Sequence, residues 1–241
     1  PIEGAAIREE LERLLDLFGG PSRHVADGVV LGALEVGNFN LGPIGPIAPE
    51  ANVVSLPFIF RDMEHMHRAL DGSAGDVIST GMSAKGLIAL AWYDSGARSF
   101  YNSKKPINEP ADVQGMKVRV MNNDLYSGMI EVLGGNPSPM AFSEVYQSLK
   151  TGVVDGAENN PPSFFSSRHY ESCRYYTLDG HLRVPDMIVI NPTVWDALGP
   201  THQAILQQAV HESVEFQREL WAETEREGLE AVRRRPYSAV L

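Results

Sequence analysis

GMKVRVMNNDLYSGMIEVLGGNPSPMAFSEVYQSLKTGVVDGAENNP, residues 115–161, decides the fold. Met116–Met121 alternates apolar and polar side chains, the two-residue period of a strand. Asp124–Leu133 carries apolar residues at helical spacing and runs into Gly134–Gly135, a natural helix stop. Ser143–Lys150 reads as a second helix with Ser143 as its N-cap, ended by Gly152. Val153–Asn159 then reads as another strand. Strand, helix, helix and strand within so short a span predict layered α/β architecture rather than a sandwich or a bundle.

The flanks continue the alternation. Upstream, Glu3–Leu15 and His24–Leu34 read as helices, and LDLFGGPS at 15–22 as a short strand ending in a Gly-Gly turn. Leu34–Leu41 alternates like a strand, while GPIGPIAPE (42–50) reads as a Pro/Gly loop too broken for regular structure. Arg61–Leu70 and Gly75–Lys85 are predicted helices and Gly86–Tyr93 a buried strand. Downstream, Met187–Ile190 is a strand and Thr201–Val232 one long charged helix, bent or split. No repeat or long linker divides the chain, so two lobes would have to be joined by short strand segments, an arrangement suited to a hinge.

Bulk properties exclude several classes. Of 241 residues, 31 are acidic and 20 basic, a net charge of −11. Nucleic-acid phosphates and anionic lipid surfaces both demand clustered cations, so neither is an expected partner. No stretch approaches the roughly 20 apolar residues of a membrane-spanning helix, so no stable membrane insertion is expected. The opening residues carry no signal segment, as in a secreted chain from which it has been removed. The single cysteine, Cys173, has no partner for an intrachain disulfide and reads as a small buried apolar residue.

Motifs for covalent chemistry are lacking. The seven histidines form no HExxH or other close metal pattern, and there is no GxSxG elbow, GxGxxG turn or P-loop. Neither a metal, a cofactor nor enzymatic activity is therefore expected. Arg119 is the conspicuous residue, a charge inside an alternating strand, where burial is costly without a partner. An edge strand with Arg119 facing water explains it; so does a planar fork offered to a carboxylate.

Beyond these readings, residues 32–223 resemble the DctP-type substrate-binding proteins of TRAP (tripartite ATP-independent periplasmic) transporters. The resemblance rests on the KVRV strand, NPSPMAFSEVYQSLKTGVVDGAENN, SLPFIF at 55–60 and YDSGARSFYNSKKPI at 93–107. It implies a two-lobe, periplasmic-binding-protein-like α/β fold with hinge strands and a long C-terminal helix, closing over a ligand. The lobes would comprise residues 1–95 plus 186–224, and 96–185 plus 225–241. It further implies that Arg119 grips a small carboxylate ligand, that Asn159 helps position Arg119 and the ligand, and that Arg98 makes a second contact. Asn122, Phe142, Asn40 and Asp186 fall where family pockets are lined.

Alternatives to these roles stand beside them. Arg98 pairing with Asp94 or Glu109 at the surface, Asn159 and Asn160 as turn residues, Phe142 as core and Asp186 as a solvated cap all remain open. The implied partners are the small and large TRAP membrane subunits, and the implied location of this chain is the periplasm. Because Asn40 and Asp186 suit hydroxyls, a hexuronate such as glucuronate or galacturonate is expected ahead of an aldonate or a C4-dicarboxylate. A ligand-sensing domain, or an enzyme of sugar acids on a similar scaffold, is the competing class. Relative to the family the chain looks shortened at both ends, with the opening strand and later helices lacking.

Overall fold

The computed structural model describes residues 22–234 together with 239 and 240. The expected helix Glu3–Leu15 and the expected strand LDLF lie outside the described residues. In chain order the regular elements begin with α1 (Ser22–Val30), β1 (Val36–Asn40), α2 (Met63–Leu70), α3 (Ser73–Ser83) and β2 (Ile88–Tyr93). β3 (Ala97–Asn102), β4 (Lys117–Val120), α4 (Asp124–Val132), β5 (Asn136–Pro139), α5 (Phe142–Thr151) and β6 (Gly156–Asn159) follow. α6 (Pro161–Ser166), β7 (Tyr175–Tyr176), β8 (Leu182–Arg183), β9 (Asp186–Ile190), α7 (Pro192–Arg233) and β10 (Ala239–Val240) complete them.

Two sheets result. One is three-stranded in the order β1-β9-β2, with β9 antiparallel to both neighbours. The other is seven-stranded, in the order β10-β7-β3-β6-β4-β5 with β8 pairing beside β3. The chain leaves the first sheet after Tyr93, enters the second at Ala97, and returns between Arg183 and Asp186. Both passages are therefore only a few residues long. α7 spans the pair: Gln207 donates to the Leu90 carbonyl of the first sheet at 3.0 Å, while Val232 is buried in the core of the second.

Local chemistry explains the boundaries. Asp62 caps α2 by accepting from the His65 amide, and Asn123 caps α4 by accepting from the Leu125 amide at 3.0 Å. Asn191 accepts from Thr193 and Val194 at the start of α7, with Pro192 in the first turn, where no amide donor is missed. The helix begins nine residues before the expected Thr201, and its break falls upstream of the expected span, at Gly199, whose φ of 69° interrupts the helical path before Pro200 restarts it. β4 shows why the alternation holds: Val118 and Val120 are buried, packed with Ile130 of α4. Each such burial removes enough apolar surface to stabilise by about 1.5–3 kcal/mol.

Two local expectations are corrected. The Pro/Gly stretch after β1 is not irregular; Gly42–Ile44 and Pro49–Ser55 form 3-10 turns. Proline is compatible with a first helical position, and burial of Leu41, Ile44, Ala51 and Val54 fixes the turns against the core. Helix α5 starts at Phe142, so Ser143 lies inside the first turn and does not cap it. Instead the Glu144 carboxylate accepts from the Ala141 amide at 3.1 Å, satisfying an end donor from within the helix.

Candidate ligand site

The seven-stranded sheet brings two arginines to the strands flanking β6. Arg119 lies on β4, with β5 on one side and β6 on the other, so the edge-strand alternative does not hold. It is 3% exposed. Its Nε and Nη2 both donate to the Met140 carbonyl, at 3.1 and 2.9 Å. Among the described residues no carboxylate forms an ion pair with it. Burial lowers its pKa from the ordinary arginine value, with the charge of Glu158 acting in the opposite sense. Phe142, partly exposed at the start of α5, places its ring centroid 5.8 Å from the Arg119 Cζ.

Arg98, on β3, is also buried, but its charge is met. Its Nε donates to Glu158 Oε2 at 2.5 Å, and its Nη2 to Glu158 Oε1 at 2.8 Å and to the Glu158 carbonyl at 2.9 Å. Its Nη1 donates to Asn159 Oδ1 at 3.0 Å. Burial works against the arginine charge, and the Glu158 carboxylate more than offsets it, so the pKa rises. Surface pairing with Asp94 or Glu109 is thus not what the structure contains. Four of the five guanidinium N–H groups are engaged, whereas three of those on Arg119 remain for another acceptor.

Asn159, expected to help position Arg119, is instead bonded to Arg98, because β6 pairs with β3 at Ser99–Asn159. It links that arginine to the following turn: its Oδ1 also accepts from the Asn160 amide at 2.9 Å. Asn160 caps α6 through Ser163 and donates Nδ2 to the Ser95 carbonyl at 2.8 Å. Glu158, fully buried, is the residue that sequence reasoning missed. The available signal was an acid inside the strand GAEN, where an unpaired charge would be expensive. His181 stacks on Phe100 at 4.3 Å, with Nδ1 2.8 Å from Asp179 Oδ2 and Nε2 3.9 Å from Glu158 Oε2. Behind Phe142, burial and the Arg119 charge hold the His169 pKa down at about 4, so the ring that hydrogen-bonds Tyr101 at 2.7 Å is neutral at physiological pH.

A second polar cluster stands at the end of the three-stranded sheet. Asn40 on β1 and Asp186 on β9 are register partners, and Asn40 Nδ2 donates to Asp186 Oδ1 at 3.0 Å. The same amide lies 3.4 Å from Ser95 Oγ and 3.3 Å from the Val184 carbonyl, on the two passages between sheets. Burial raises the Asp186 pKa to about 6, against the hydrogen bonds from Asn40 and Ser95. Through Ser95 this cluster adjoins the Asn160 turn. Asn122 is not drawn into either cluster; it is exposed, two residues beyond β4. Among the described residues no group of three or more His, Cys, Asp and Glu side chains could hold a metal, and no helix is long and apolar enough to cross a membrane.

Two sheets joined by short passages, with an unpaired buried guanidinium in one and a polar cluster where they meet, define a two-lobed binding protein. The chain belongs to the bacterial extracellular solute-binding protein family 7, DctP, whose profile matches residues 19–239. It is 51% identical over 192 residues to a solute-binding protein of Chromohalobacter salexigens, covering 80% of this chain but only 57% of that relative. A TRAP periplasmic solute-binding protein of Roseobacter denitrificans with bound β-D-glucuronate superposes with a TM-score of 0.91 at 50% identity, covering 100% of this chain and 85% of that one. One from a Sulfitobacter species with bound β-D-galacturonate gives 0.89 at 49%, covering 91% and 73%.

Proposed function

We propose that the protein is the extracytoplasmic receptor of a TRAP-type transporter and that it takes a hexuronate, glucuronate or galacturonate. The observation that carries this reading is Arg119: a buried guanidinium that, among the described residues, keeps three N–H groups unengaged and meets no counter-ion. A ligand carboxylate supplies the charge that the chain withholds, and a two-point fork orients it. Arg98, already neutralised by Glu158, has one N–H left, so it contributes at most a single bond. Phe142 then forms a wall beside the carboxylate, Asn159 holds Arg98 in place, and Asn122 lines the rim.

Asp186 offers a carboxyl group to ligand hydroxyls, Asn40 holds that carboxyl through Nδ2 and has a lone pair left on Oδ1 for a hydroxyl, and Asp186 would repel a second ligand carboxylate. That preference for one charge and many hydroxyls matches the sugar acids held by the two structural relatives above. The lobes of this reading are residues 1–95 with 186–224, and 96–185 with 225–241; ligand held between them draws them together. The receptor delivers its cargo, without catalysis, to small and large membrane subunits on the periplasmic side.

A thermal-shift panel tests the assignment. Ligand at about 100 times its Kd adds roughly 2.7 kcal/mol, which in a chain of this size raises Tm by about 5–10 °C. Glucuronate and galacturonate should do so, and succinate and malate should not. Strong stabilisation by the dicarboxylates with none by the hexuronates would overturn the reading.

A further inference from the structure

The two sheets are held together by more than the passages of chain between them. Asn123, just beyond β4, sends its Nδ2 to the Gly42 carbonyl at 2.7 Å and to Asn52 Oδ1 at 2.8 Å. Tyr126, in the first turn of α4, donates its hydroxyl to Ser55 Oγ at 3.1 Å. Gly42, Asn52 and Ser55 all belong to the 3-10 turns that follow β1 of the other sheet. Tyr126 and Ser55 are each 1% exposed, so their bond is made in a dry contact.

The fit is close around the glycines as well. A Cβ on Gly42 would stand 2.5 Å from Met121 Cε and 2.7 Å from the Tyr126 hydroxyl, and one on Gly45 would strike the Asn52 side chain. Both Nδ2 hydrogens of Asn123 are spent on this contact, and its Oδ1 caps α4. That inventory leaves Asn123 no donor for a ligand.

We propose that Asn123 and Tyr126 form a latch between the lobes, positioning residues that set how long ligand is held without touching it. The proposal rests on the two-lobe receptor reading above. Opening at the short passages must break the Asn123 and Tyr126 bonds, because their donors and acceptors sit on opposite sides. Each bond adds to the closed population and slows release, while leaving the encounter with ligand unaffected. The two 3-10 turns after β1 thereby acquire a role: they present the Gly42 carbonyl, the Asn52 amide oxygen and the Ser55 hydroxyl to Asn123 and α4, from a surface where a side chain at Gly42 would press on Met121 and the Tyr126 hydroxyl.

The test uses Tyr126→Phe, Asn52→Ala, their combination, and Gly42→Ala as a wedge. Release of glucuronate is followed by stopped flow. The interlobe distance is read from spin labels at Val77→Cys and Val153→Cys, which are 62% and 58% exposed and lie on opposite lobes, while Cys173 is buried. Loss of one bond should speed release about tenfold, and loss of both about 100-fold, with association within threefold of wild type. Labelled distances should lengthen in the same order. Variants that merely lower Tm, with release and distances as in wild type, would overturn the latch. If wild type takes no hexuronate, the receptor reading fails separately. The distances without ligand then decide: longer in the double variant supports the latch, and coincident distributions overturn it.

Discussion

Arg98 and Arg119 stand on β3 and β4, either side of β6, equally buried in one sheet, yet the chain treats them differently. Around Arg98 it supplies a carboxylate, a backbone carbonyl and an amide oxygen. Around Arg119 the described residues supply a single carbonyl, from Met140, and an aromatic ring. Removing a charge from water costs several kcal/mol, and an intramolecular partner is the usual way to recover it. Arg98 recovers it within the fold and so belongs to the structure. Arg119 does not, and the outstanding cost is what a bound anion relieves. Burial alone would not have separated the two; the accounting of partners does.

The sharpest way to break this comparison is to delete each charge at constant size. Arg98→Met leaves Glu158 buried and unpaired, so unfolding free energy should fall by about 3–5 kcal/mol, or roughly 10 °C in Tm. Arg119→Met removes an unpaired charge and should leave stability unchanged or raised. Calorimetric scans decide it, and equal losses in the two variants would erase the distinction.

A smaller effect concerns Asp186, the carboxyl of the other cluster. Its folded pKa of about 6 lies above the ordinary aspartate value, so the native state binds the proton more tightly than the unfolded chain does. Its contribution is full below about pH 4 and is lost as pH rises through 6. Asp186→Asn should therefore gain about 1–2 kcal/mol over wild type at pH 7.5 and little at pH 4. A gain that does not change with pH would mean that the environment of Asn40, Ser95, Asp94 and Arg98 leaves the carboxyl unperturbed.

Much of this arrangement was legible in the sequence, and the reason differs by element. β4 announced itself because one of its faces packs on α4, which imposes alternation on KVRV. β9 was legible as a short apolar run buried between β1 and β2. β3 was not, because ARSFYN is buried between β6, β7 and β8 and carries Arg98, Ser99 and Asn102 without a period. The pairing of Arg98 was hidden for a related reason: its partner lies 60 residues away, and nearer acids such as Asp94 offered themselves first. Asn40 with Asp186, 146 residues apart, and the Tyr126–Ser55 bond likewise follow from tertiary placement that no local pattern records.

The central claim is that Arg119 is the counter-ion of the ligand, and titration calorimetry of glucuronate into Arg119→Lys tests it most directly. Lysine keeps the charge but loses the fork, so the account predicts binding weaker by about 2–5 kcal/mol. Tm without ligand should stay close to that of wild type. An Arg119→Lys protein that binds glucuronate as tightly as wild type would contradict it.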